Sequence, residues 1–152
     1  MALDFSTYLD VDVDSIPKSV PSLPLGHYFA TIKSWKGTER FYDKENPKKG
    51  TPTIELTFTL SGPDDDVDLD TLPDGKLPIR VVTRDYNLVE NGQTHLRNLA
   101  EDTLGLPVKG YSLGDLLDAI TGQECRVYNE PRANPKEDGQ FFTNIKKVIA
   151  AS

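Results

Sequence analysis

Tyr28, Ala30 and Ile32 alternate with Phe29, Thr31 and Lys33. A period of two predicts a strand with one face buried. Ile54, Leu56, Phe58 and Leu60 alternate in the same way with Glu55, Thr57 and Thr59, the cleanest half-buried strand in the chain. Between them, residues 36–51 form a long polar loop. After an acidic loop at 62–75, a third strand covers 77–84. The period then changes. Over 94–104, Leu96, Leu99, Ala100 and Thr103 recur at helical spacing, and Gly105 is a stop signal. A second short helix fits 112–120, with Ser112 as cap, Asp115 at N3 and Gly122 just past its end. A fourth strand follows at 124–128, a loop at 129–139 and a fifth strand at 140–149.

Residues 1–24 carry Pro17, Pro21 and Pro24 and no sustained period. They read as an extended arm. The alternation from Leu9 to Asp14 would suit a short edge strand, but the prolines soon after it argue against a compact element. Three strands, a helical segment and two more strands is the order of a mainly β, five-stranded OB-type Greek-key barrel plugged by a helix. Other small barrels and α+β sandwiches share that order. The expected organisation is an acidic arm over 1–24 and one folded domain over 25–152.

Composition narrows the class. The chain has 152 residues, 37% hydrophobic and 27% charged, which suits one ordinary folded domain. Cys125 is the one cysteine, so no internal disulfide forms. The start MALDFSTYLD lacks the basic and apolar regions of a signal peptide, and no apolar run approaches a membrane span of about 18 residues. The expectation is a cytoplasmic protein. The net charge of −7 is unevenly placed: residues 1–22 carry −3 and residues 62–75 carry −6, which leaves +2 on the body. An acidic total therefore does not exclude a nucleic-acid partner.

Catalytic signatures are missing. His27 and His95 stand in no metal or triad spacing, and Cys125 has no neighbouring His. No nucleophile elbow, P-loop or dinucleotide fingerprint occurs. Asp64, Asp66 and Asp68 fit the first positions of an EF-hand frame, but Leu69 stands where Gly is required and Gly75 where a bidentate Glu is required. A solvated acidic loop is the simpler reading. No enzyme activity, metal or cofactor is expected.

Binding chemistry is present. Single-strand binders need cations for phosphates and aromatic faces for bases. The first loop and its approach hold Lys33, Trp35, Lys36, Arg40, Phe41, Tyr42, Lys48 and Lys49. Lys33 and Trp35 fall on the face opposite Tyr28, Ala30 and Ile32. Arg80 and Arg84 share one face of the third strand, with Tyr86 just beyond. Arg126 and Tyr128 alternate against Cys125 and Val127, and Arg132 lies in the next loop with Lys136. In a closed barrel these stretches would meet on one wall. Against this, exposed Lys, Arg and Tyr are common on outer strand faces, Trp35 could cap the core, and Glu39, Asp43 and Glu45 dilute the loop's charge.

The run Gly26-x-Tyr28-x-Ala30-x-Ile32, the strand IELTFTLSG, and Asn144-Ile145-Lys146 within FFTNIKKVIA resemble a group of phage-encoded OB-fold proteins. These are found with recombination genes and are proposed to bind single-stranded DNA. The resemblance spans about residues 24–149. It implies a sequence-nonspecific single-stranded DNA-binding protein of phage replication or recombination, located in the host cytoplasm. Many replication-type binders end in an acidic tail that recruits partners. This chain ends Val148-Ile149-Ala150-Ala151-Ser152, and its acid lies in the arm and in loop 62–75. Replication or recombination proteins would then dock there. A homo-oligomer is a further expectation, since linked sites raise avidity. The competing reading is a protein-interaction or assembly module, or an inhibitor, without nucleic-acid binding.

Overall fold

The computed structural model describes residues 5–15, 22–41, 45, 50–136 and 140–152. The arm holds a single helical turn, α1 (Ser6–Leu9), and a 3₁₀ turn at Val13–Ser15, where an extended segment was expected. The sheet is built from β1 (Gly26–Arg40), β2 (Thr51–Pro63) and β3 (Val81–Asn87), then β4 (Glu124–Asn129). A two-residue pair, β5 (Arg132–Ala133) and β6 (Phe141–Phe142), forms a small hairpin before β7 (Ile145–Ala150). All pairings are antiparallel, and the five long strands lie in the order β3-β2-β1-β4-β7. A fourth strand returning to lie beside the first is the Greek-key order.

Between β3 and β4, α2 (Gly92–Asn98) runs into a π-helical turn at Leu99–Thr103, and α3 (Leu113–Ile120) follows. Ser112 caps α3, its Oγ accepting from the Asp115 N–H at 3.1 Å. Leu96, Leu99, Ala100, Leu116, Leu117 and Ile120 are buried against the inner sheet residues Tyr28, Ile32, Leu56, Phe58, Leu60 and Val127. Burying such a side chain contributes about 1.5–3 kcal/mol, so this contact of helices with sheet is the main stabilising term.

Several boundaries differ from the expected ones. β1 runs on to Arg40, because Lys36 and Arg40 pair across to Glu55 and Thr51, so part of the expected polar loop is strand. β3 begins at Val81, four residues later than the hydrophobic run; Pro78 offers no N–H to a ladder. The five strands do not close into a hydrogen-bonded barrel: among the described residues no ladder joins β3 to β7. The residues expected to begin the last strand are used elsewhere. Phe141 and Phe142 pair with Ala133 and Arg132, and Asn144 donates its N–H to Asn129 Oδ1 at 2.7 Å. What crosses the seam is Arg84, whose Nη2 donates to the Lys146 carbonyl at 3.0 Å.

The acidic loop is folded down rather than solvated throughout. Val67 and Leu72 are buried, and two 3₁₀ turns follow Asp68, which accepts from the Asp70 N–H. Gly26 makes this approach feasible: it has φ of 136°, and a Cβ there would stand 2.6 Å from Val67.

Candidate nucleic-acid interface

The expected single wall splits into three places. The first is the outer face of the far half of β1 with β2 and β3. Lys36 lies 3.6 Å from Glu55, Arg40 pairs with the same carboxylate, and Arg40 Nε donates to Asp85 at 3.0 Å. The cations here are matched by carboxylates. Phe41 is exposed just past the strand, while Tyr42, Lys48 and Lys49 lie outside the described residues.

A bulge sets the fate of Trp35. Register slips between Ile32 and Ser34, so Lys33 is the extra residue and stays exposed. The slip reverses the alternation. Trp35 stands opposite buried Leu56, packs against the core, and donates its indole N–H to Asp118 on α3 at 3.0 Å. The indole expected on the outer face is a tie between sheet and helix.

The second place is the seam. Pairing with β2 sets the faces of the third strand: Val82, Arg84 and Tyr86 stand opposite buried Phe58, Leu56 and Ile54 and turn inward with them. Tyr86 is 2% exposed and offers no stacking surface; its burial pushes the phenol pKa up. Arg84 Nη1 donates to the Tyr86 hydroxyl at 2.9 Å. Arg80 precedes the strand and is exposed. Neither Arg84 nor Tyr86 joins Lys36 and Arg40 on the common wall that a closed barrel would make.

The third place is the outer face of the near half of β1 with β4 and β7. Register puts His27 opposite Tyr128 and Phe29 opposite Arg126. The His27 and Tyr128 rings lie 4.8 Å apart, and Lys147 Nζ stands 5.2 Å above the Tyr128 ring. Arg126 is committed: it donates to the Ala150 carbonyl at 2.8 Å and to Asp64 at 2.7 Å. That hydrogen bond holds the Asp64 carboxyl below the ordinary range. Burial pushes Asp66 up, but the His27 backbone N–H at 2.9 Å and its ring nitrogen at 2.7 Å outweigh it, so this carboxyl is lowered as well.

The β5–β6 hairpin stands beside this third face. Arg132 is exposed directly opposite Phe142, and Phe141 and Phe142 are 47% and 48% exposed. Asn129 fixes its base. Fully buried, it donates Nδ2–H to the Leu23 carbonyl at 2.6 Å and accepts from the Asn144 N–H. Phe29, Phe141, Phe142, Lys147 and Asn129 went unnoticed in the sequence. The Phe141–Phe142 doublet was a usable signal, because two adjacent residues of one strand cannot both face a core.

Cys125 is buried, which pushes its thiol up to about 12 and makes it a poor nucleophile. Among the described residues, no group of three His, Cys, Asp or Glu side chains is placed to hold a metal ion. No helix among them is long and apolar enough to cross a membrane. No family model and no curated protein matches the chain.

Proposed function

We propose that this protein binds single-stranded nucleic acid without sequence preference, through the β5–β6 hairpin and the adjoining outer face of β4 and β7. The observation that carries the reading is the exposed Phe141–Phe142 pair with Arg132 opposite it and Lys147 above Tyr128. Two aromatic faces would stack bases at about 1–3 kcal/mol each, whatever the sequence, and the cations would meet phosphates. The segment 126–152 carries five basic residues against three acidic ones, so its field favours a polyanion.

The reading includes a partly open OB-type barrel. The Greek-key order, the helices between the third and fourth long strands and the hairpin between the last two all suit that fold. In OB folds the loop between the last two strands borders the bound strand. With the likeness of Gly26–Ile32 and Asn144–Lys146 to phage recombination-associated proteins, the proposed role is phage DNA replication or recombination. The test is anisotropy of labelled oligo-dT at two salt concentrations. Affinity should fall steeply with salt, with a log–log slope of about −0.7 per phosphate contacted. Absence of binding at low salt refutes the reading.

One observation favours the second reading, a protein-interaction module. Phe5, Leu9, Val11 and Val13 are exposed on the arm, interleaved with Asp10, Asp12 and Asp14. An acidic, apolar segment of this kind suits a basic-rimmed groove on another protein, and replication or recombination proteins are the proposed partners. Removing residues 1–15 should leave oligo-dT binding intact and abolish any such capture.

A further inference from the structure

Arg84 is a half-buried cation that no described carboxylate approaches within ion-pair distance. Its guanidinium is held at three points, with one nitrogen donating to the Tyr86 hydroxyl, the other to the Lys146 carbonyl, and Cζ 4.9 Å from the Tyr86 ring centroid. Arginine has five N–H donors, so three remain unused by these bonds. A charge withdrawn from water without a counter-ion is costly, and an anion beside it removes that cost.

The space beside Arg84 suits one. A cavity of about 160 Å³ lies where β3, β7 and the α2–π segment meet, and its lining includes Arg84, Tyr86, His95, Asn98 and Thr103. Each of these side chains can donate a hydrogen bond, and no described Asp or Glu lines the cavity. Its volume is that of a few water molecules at about 30 Å³ each, enough for one tetrahedral oxyanion with some solvent. The Lys147 ammonium is engaged over Tyr128 and is not counted here.

We propose that this cavity is a phosphoryl-binding site, in which Arg84 grips one phosphate group with His95, Asn98 and Thr103 completing the donor set. The phosphate is either a free inorganic ion or the terminal phosphate of a nucleic-acid strand. The proposal does not rest on the nucleic-acid reading above, which unphosphorylated oligo-dT tests by itself.

The experiment is calorimetric titration of the full chain at constant ionic strength with inorganic phosphate, with a 5′-phosphorylated thymidine dinucleotide and with its 5′-hydroxyl counterpart. Saturable binding of phosphate or of the phosphorylated dinucleotide, but not of the 5′-hydroxyl one, is expected. Inorganic phosphate alone identifies a free anion. Binding of the phosphorylated dinucleotide, competed by phosphate, identifies a strand end. Arg84→Met should weaken binding at least tenfold. Should that variant fail to fold, Asn98→Asp, at an exposed helical position, places a repelling carboxylate on the rim and should give the same loss with an unchanged circular dichroism spectrum. No saturable binding of either phosphate, or binding that survives Asn98→Asp unchanged, overturns the proposal.

Discussion

The outer faces at the two ends of β1 both pair basic side chains with carboxylates, Arg126 with Asp64 and His27 with Asp66 at the near end, yet they differ in what is left over. At the far end, Lys36 and Arg40 face Glu55 and Asp85, and the charges are spent within the protein. At the near end, β1 meets β4, β7 and the hairpin, where Arg132 and Lys147 accompany exposed or half-exposed aromatic rings. The difference teaches that a count of cations along a strand says little about binding. What matters is which carboxylates the neighbouring strands place opposite them, and this is decided by register.

The comparison breaks most sharply at the aromatic pair. Phe141→Ala with Phe142→Ala should weaken oligo-dT binding about 30-fold or more, from roughly 1–3 kcal/mol per stacked base. Lys36→Ala with Arg40→Ala should change it by less than about threefold, measured by the same anisotropy titration. Equal losses in the two variants would place the interface elsewhere. Next in size, Asn129→Ala should lower stability by about 2–4 kcal/mol in urea denaturation, because it leaves buried backbone groups at Leu23 and Asn144 without their partner.

Arg132→Ala should reduce the salt slope by about 0.7, the share of one phosphate, while Lys36→Ala leaves it unchanged. Acid unfolding sharpens the contrast at the near end. Asp64 and Asp66 are held below their ordinary pKa of about 3.9, so the stability they contribute is present above that value and lost as pH falls through their lowered ones. In Arg126→Met the dependence of stability on pH below about 4 should be shallower. The smallest effect is expected for Lys36→Ala on stability, under about 1 kcal/mol, as for an exposed ion pair.

What was legible in the sequence was local. The alternations at Tyr28–Ile32 and Ile54–Leu60 and the Ser112 cap are read from neighbouring residues, and the corresponding strands and helix formed. What was not legible depended on distant pairing. The slip at Lys33 turned Trp35 inward, and nothing in the adjacent residues marks a bulge there. The third strand entered the ladder at Val81 instead of Leu77, and only its pairing with β2 shows that Arg84 and Tyr86 lie on the inner face, opposite Leu56 and Ile54. A one-residue change of phase exchanges every side chain between the faces. The matching of Arg40 by Asp85 joins positions 45 residues apart and leaves no trace in either stretch alone.

The Asn129 amide joins three separate lengths of chain: the residues leading out of the arm at Leu23 and Pro24, its own strand, and the return of the hairpin at Asn144. The arm therefore leaves the body at the root of the hairpin. From Ser15 to Ser22 the backbone can span at most about 25 Å, seven steps of 3.3–3.6 Å. If both proposed contacts form, a partner bound by the arm would stand within that reach of a strand bound at the hairpin, and each would raise the local concentration of the other.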